Sequence, residues 1–216
     1  MAFIRAYKET DFEACARICI ETLMPKSLAS SPAAAKLAPY LWTHPYTFLS
    51  PSTSHVLDDG TGNAVGYCIG CPDINIFIAN YESYRKTILS RDVERPQFAT
   101  CEPWITESTG LFNPLAIAQH AYRPEWSLVD EAVRWRATMH IDILPPWQGR
   151  GWGRRLVQRF VDTVRSSGQN YDEGIHIGVA GENSKVVPFY QKLGFVLVDR
   201  GEGAGSITMT KNIDKV

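Results

Sequence analysis

The stretch "LPPWQGRGWGRRL", residues 144–156, places three glycines at alternate positions, Gly149, Gly151 and Gly153. An amphipathic run follows at once, with Leu156, Val157, Phe160, Val161 and Val164 spaced for one buried helix face and Gly168 at its end. A strand, "RATMHIDILP", precedes it. Bare backbone between a strand and a helix start suits an anion. The first N–H groups of a helix lack intrahelical partners, its dipole adds partial positive charge there, and missing Cβ atoms let a phosphate come close.

Two familiar loops do not fit. A P-loop needs Lys then Ser or Thr after its last glycine, but Gly153 is followed by Arg154 and Arg155. A dinucleotide fingerprint needs a third glycine where Arg154 or Leu156 stands. The pattern Q/R-x-x-G-x-G/A is met by Gln148, Gly151 and Gly153. By itself it also fits a plain turn.

Working outward, Gly174–Ala180 reads as the next strand, "SKVVPFYQKLG" as a short helix, and "FVLVDR" with "SITMTK" as a hairpin around "GEGAG". Toward the start, Phe3–Tyr7 reads as a strand. A helix from Asp11 buries Phe12, Cys15, Ile18, Cys19 and Leu23 and stops before Pro25. A helix over Pro32–Leu41, a loop over "HPYTFL", a hairpin of His55–Asp58 and Ala64–Cys71 joined by "DDGTGN", and a helix over Ile74–Leu89 complete the first half. Residues 90–130 hold Pro96, Pro103, Pro114 and Pro124 and read as an irregular insertion with a short helix near Pro114–His120. Nothing divides the chain into repeats, so one domain over 1–216 is expected.

Composition narrows the function. At 216 residues and 44% hydrophobic residues, a sizeable core is within reach. A net charge of −1 without a basic tract disfavours a nucleic-acid binder. No apolar run reaches the ~20 residues of a membrane span, and Met-Ala-Phe-Ile-Arg-Ala-Tyr has no secretory pattern. Five cysteines suggest no disulfide scaffold, so a cytoplasmic or nuclear setting is expected. Cys68 and Cys71 form a single CxxC, open to a redox reading but too few for a zinc site.

Together, "HIDILPPWQGRGWGRRL" and "GVAGENSKVVPFYQKLGFVLV" resemble the two central motifs of the GNAT acyl-CoA N-acyltransferases, closely over about 136–210. Within them, "IDILP" and "FYQKLGF" resemble the acetyltransferase-like domain of O-GlcNAcase and its free-standing bacterial relatives. The resemblance implies an α/β GNAT fold: a mixed, mostly antiparallel sheet splayed between its fourth and fifth strands, with helices on both faces. It also implies acetyl-CoA or coenzyme A as co-substrate and no metal.

The acceptor would be an amine of unknown identity, with no nucleic acid or membrane partner, in a monomer or homodimer. The alternative is a coenzyme A-binding sensor or interaction module without turnover.

Residue by residue, the resemblance has Gln148 and the amides of Gly149, Arg150, Gly151, Trp152, Gly153 and Arg154 wrap the pyrophosphate, with Arg155 adding charge. The backbone of Ile141, Ile143 and Leu144 would pair with the pantetheine arm, and Ile143 or Leu144 would polarise the acyl carbonyl. Asn183 would bond the pantetheine amides, or simply cap a helix; Pro188 departs from the pattern and delays that helix by a turn. Tyr190 would stand by the sulfur and Asp142 would bind or deprotonate the amine, with His140 and His176 as runners-up. Each of these four also has a purely structural reading. Trp147 and Trp152 flank the loop, while Trp104 and Trp126 would line an acceptor pocket or fill core.

Overall fold

The structure, a computed structural model, describes residues 1–23, 25–127, 130–199 and 206–214. Its strands are β1 (Phe3–Ala6), β2 (His55–Asp58), β3 (Ala64–Cys71), β4 (Ile105–Thr106), β5 (Leu111–Phe112), β6 (Ala137–Ile143), β7 (Gly174–Ala180), β8 (Val196–Leu197) and β9 (Ser206–Asn212). Seven of them form one sheet in the order β1-β2-β3-β6-β7-β9-β8; β4 and β5 make a separate hairpin. Every pairing in the large sheet is antiparallel except β6 with β7. The "GEGAG" turn lies outside the described residues.

The α-helices are α1 (Phe12–Glu21), α2 (Lys26–Ala29), α3 (Pro32–Trp42), α4 (His44–Leu49), α5 (Ile74–Ala79), α6 (Tyr81–Tyr84), α7 (Ser90–Asp92), α8 (Pro114–Tyr122), α9 (Trp152–Ser166) and α10 (Val187–Lys192). They cover both faces of the sheet. Tyr67 of β3 points to the α3–α4 side, where its hydroxyl meets Thr43. Gly70, of opposite parity on the strand, lies against Phe160 of α9. The stripe on α9 is the expected one: Leu156, Val157, Phe160, Val161 and Val164 are each 3% exposed or less. Burying such a side chain is worth roughly 1.5–3 kcal/mol, so packing more than propensity fixes this helix on the sheet.

At the start of α1, Arg5 of β1 binds Asp58 of β2 at 2.8 Å and Asp11 at 2.6 Å. That pair of ion pairs pins the helix to the first two strands.

Two expectations for the first half need correction. "HPYTFL" is not a loop but α4, with Pro45 in its first turn. Proline is compatible with a helix start, because the N–H it lacks has no partner there in any case. The helix expected over 74–89 is broken: α5 ends at Ala79, and Arg85–Leu89 form a π-turn after α6. Residues of α2, α3 and the described part of 74–132 build a second apolar cluster around Phe77, Tyr81, Tyr84, Ile117 and Leu89.

Candidate active site

The parallel pair β6–β7 shares a register at Ala137↔Ile175 and Thr138↔His176. Beyond it, β6 stays paired with β3 through Ile143, and β7 with β9 through Ala180. The amide of Leu144 donates to Val65 O at 2.9 Å. Hydrogen bonding alternates along an antiparallel ladder, so Asp142 and His140, in step with Leu144, also direct their amides to β3. Ile141 and Ile143 therefore direct theirs to the β7 side. This corrects one expectation: the Leu144 amide is already engaged, and its side chain is buried, so Ile143 alone of the two can meet an acyl oxygen.

The glycine loop follows. Pro145–Trp147 form one turn of 3-10 helix. Gly149 and Gly151 then take φ of +70° and +79°, a region that favours glycine, and a Cβ at either would meet no atom within 4 Å. The space before α9 is therefore open, and the amides of Trp152, Gly153 and Arg154 begin the helix without intrahelical acceptors. Gly153 has a different reason to be glycine: a Cβ there would sit 3.1 Å from the Phe189 ring of α10. Arg150 lies over Trp147 and Arg155 over Trp152, with 5.4 and 4.7 Å to the ring centroids. Gln148 is turned differently from the expectation. Its side-chain amide donates to Ile143 O at 2.7 Å, tying loop to strand.

After β7, Gly181–Val186 form a 3-10 turn with Asn183 off helical geometry at its centre. Helix α10 starts only at Val187, with Pro188 in its first turn. Asn183 is thus not the cap of that helix, and Tyr190 rides on the delayed helix, edge-on to Phe189 and Phe195.

Asp142 lies within electrostatic reach of Tyr190. Burial is the main cause of a raised Tyr190 phenol, with Cys68 and Asp142 adding to it electrostatically. Burial also lifts the Asp142 carboxyl above its ordinary range, while the hydrogen bond from Tyr67 pulls the other way. The Tyr67 bond is short, 2.6 Å from its hydroxyl to Asp142 Oδ2. Asp142 is nonetheless partly exposed. The runners-up have ring or hydrogen-bond partners of their own. Burial pushes His140 down to about 4, and Tyr46 leans on its ring at 5.0 Å. His176 has its Nδ1 bonded to the Trp135 carbonyl at 2.5 Å.

Sequence reasoning missed Tyr67 and Thr43. Tyr67 is directly opposite Asp142 in the β3–β6 register. Its one visible signal was a hydroxyl inside the otherwise apolar "AVGYCIG".

The CxxC pair has a structural role. Cys68 and Cys71 are both reduced and buried, and they point to opposite faces of β3 into different apolar clusters, so the redox reading fails. Trp104 stacks on His120 at 4.1 Å and Trp126 packs edge-on to Phe98 and His120. Trp135 donates to Asn212 at 2.7 Å. Among the described residues no group of three His, Cys, Asp or Glu could hold a metal ion, and no helix is long and apolar enough to cross a membrane.

A family model for the acetyltransferase (GNAT) family matches residues 21–195. The chain belongs to this family and is a GNAT-family N-acetyltransferase, a class that takes its acyl group from acetyl-CoA. Among solved structures it is similar to SsHAT, at 28% identity over 96% of each chain and a TM-score of 0.76. It shares its fold with the PaiA N-acetyltransferase of Thermoplasma acidophilum, solved with coenzyme A, at 12% identity over 99% of each chain and a TM-score of 0.54. The same holds for YncA of Salmonella typhimurium, solved with acetyl-CoA, at 14% identity over 100% of this chain and 96% of the other, with a TM-score of 0.53.

Proposed function

We propose that this protein transfers an acetyl group from acetyl-CoA to a primary amine by direct attack in a ternary complex. Asp142 receives the amine proton and Tyr190 supplies the proton for the departing sulfur. The observation that carries this reading is the placement of Asp142: a desolvated carboxylate on the strand where β6 leaves β7, held by Tyr67 at 2.6 Å and within electrostatic reach of Tyr190.

The donor's shape fits the residues present. Its pyrophosphate would lie over Gly149–Arg154, where left-handed glycines leave room and the helix mouth offers free N–H groups. Arg150 and Arg154 would add charge. Its pantetheine arm would extend along β6 as an extra strand on Ile141 and Ile143, with Asn183 near its amides. The acyl oxygen would accept from the Ile143 amide.

The amine lone pair forms the C–N bond as the carbonyl pair moves onto oxygen. The surplus N–H proton passes to Asp142. On collapse the C–S bond breaks, sulfur keeps the electron pair, and the Tyr190 hydroxyl gives it a proton. Solvent then returns Asp142 and Tyr190 to their starting forms, leaving an amide and a free thiol. A raised carboxyl is a better base than an ordinary one, and a raised phenol stays protonated at neutral pH.

In this reading the chain works as one catalytic unit, and the 74–133 layer lies on the acceptor side. Its free cysteines suit a reducing compartment, cytoplasmic or nuclear.

The test is incubation of the purified chain with acetyl-CoA and a panel of alkylamines, arylalkylamines, polyamines, amino sugars and lysine peptides. Acetylated product should form with an equal amount of free coenzyme A. Calorimetric binding of coenzyme A with no product across the panel would favour the sensor reading instead.

A further inference from the structure

We propose that Tyr67 and Thr43 form a buried hydroxyl chain that orients the Asp142 carboxylate and sets the pH at which it accepts a proton. This rests on Asp142 being the proton acceptor proposed above.

The geometry is a line of three groups. Thr43 Oγ1 lies 3.3 Å from the Tyr67 hydroxyl, which lies 2.6 Å from Asp142 Oδ2. An ionised carboxylate has no proton to give, so Tyr67 donates to Asp142. Its oxygen is then left to accept from Thr43. Tyr67 and Thr43 are both 0% exposed, so neither reaches a substrate, and they are positioning residues.

Thr43 sits where a different bond would be ordinary. It ends α3 and begins α4, with φ −127° and ψ −65°, yet its hydroxyl caps neither helix. A threonine at a helix start usually turns its oxygen to the first-turn amides, which is worth about 1 kcal/mol. Here the hydroxyl faces Tyr67. Burying two hydroxyls in the apolar centre of a sheet is costly unless they bond, and phenylalanine would fill the same volume without that cost.

The surroundings make the chain decisive. From α1, Cys19 faces the cluster, and burial pushes its thiol up to about 12. Thr22, at the end of α1, turns its hydroxyl to the Ile18 carbonyl at 2.7 Å, and Tyr67 is the hydroxyl that donates to Asp142. From β3, Cys68 is raised by burial; from α10, Tyr190 is raised likewise. His140, two residues along β6 on the same face, is pushed down to about 4. All of these are neutral near pH 7, so hydroxyl donors are what offset the carboxylate's desolvation. Removing one favours the protonated acid.

The experiment is a carboxyl-carbon NMR titration of the full chain, with Asp142 assigned through Asp142→Asn. Tyr67→Phe should move the Asp142 titration up by one pH unit or more while coenzyme A affinity stays within twofold. Thr43→Val should move it up by less, and Thr43→Ser should restore it. The acid limb of the kcat/KM profile should shift in the same direction. An Asp142 titration that stays put or moves down in a folded Tyr67→Phe overturns the proposal. If that variant does not fold, an unmoved titration in Thr43→Val overturns it equally. Should Asp142→Asn keep the wild-type acid limb, the proton-acceptor role falls while the titration result on the hydroxyl chain stands by itself.

Discussion

Gln148 holds the end of β6 rather than reaching away from it: its Nε2 donates to the carbonyl of Ile143 at 2.7 Å. That carbonyl lies on the edge of β6 turned from β3, beside the Ile143 amide that would meet the acyl oxygen. Loss of the bond, worth about 1 kcal/mol, should loosen the strand end that the pantetheine arm would use. Gln148→Ala should therefore weaken coenzyme A and pantetheine by a similar factor, roughly fivefold. Inhibition constants for the two compounds decide the matter. A loss confined to coenzyme A would place Gln148 on the pyrophosphate.

Gly151 has the opposite character, open space with a demanding backbone. At φ +79°, a valine has room for its Cβ but not the conformation, and the left-handed region costs a branched residue about 1–2 kcal/mol. The chain relieves that cost by turning the loop, which swings the amides of Trp152 and Gly153 away from their common focus. Gly151→Val is expected to remain folded, with a modestly lowered melting temperature, and to lose coenzyme A binding by at least tenfold in calorimetry. Wild-type affinity in the variant would remove the loop from the donor site.

These two glycine-loop residues illustrate what a sequence can convey. Spacing alone located the loop, the α9 stripe and the alternation that puts His140 and Asp142 on one face, because each depends on neighbours within one or two turns. The direction of Gln148 was not legible, since it depends on where the chain bends after Leu144. Tyr67 and Thr43 were hidden for a stronger reason. Asp142 meets Tyr67 only through a register between strands 75 residues apart, and Thr43 reaches them only because α4 exists. The sequence reads there as a loop, although Pro45 suits the first turn of a helix. Local spacing thus located the glycine loop, and long-range pairing supplied the support of the proposed base.

Tyr190 is held on α10 between Phe189 and Phe195, and its ring packs on the first apolar cluster. Phenylalanine should keep that packing and lose only the hydroxyl proposed as proton donor. Tyr190→Phe should lower kcat by roughly 10²-fold and leave coenzyme A affinity within twofold. Single-turnover measurements with the best amine of the panel check it. An unchanged rate would refute the acid role.

Asp142 should show a conflict between activity and stability. Its carboxyl is raised in the fold, chiefly by burial, so the folded state binds that proton more tightly than the unfolded chain. Stability from this group is full below the unfolded value near 3.8 and is lost as pH rises through the raised folded value. At pH 7 the wild type bears the full penalty. Asp142→Asn can still accept the Tyr67 hydroxyl but carries no charge. It should melt a few degrees higher than wild type at pH 7, with the gain shrinking toward pH 4, while acetyl transfer falls. A variant less stable than wild type at pH 7 would mean that the carboxylate's hydrogen bonds outweigh its desolvation.

His44 carries the reverse dependence. It stacks on Phe12 with ring centroids 3.7 Å apart and planes 7° from parallel, is 2% exposed, and its Nδ1 has no hydrogen-bond partner. Burial pushes its pKa down to about 4 from 6.5. The ring is neutral in the fold, while the unfolded chain takes up a proton near 6.5. Its contribution is therefore present above 6.5 and is lost as pH falls toward 4, amounting to about 2–3 kcal/mol by pH 4.5. His55, also pushed down to about 4, acts in the same sense. His44→Phe keeps a ring for the stack and removes the titration. Urea unfolding at pH 7 and pH 4.5 should show the stability difference between the two conditions shrinking by that amount in the variant. An equal difference in both proteins would mean that His44 accepts its proton inside the fold without penalty, and acid sensitivity would then have to come from the other buried groups.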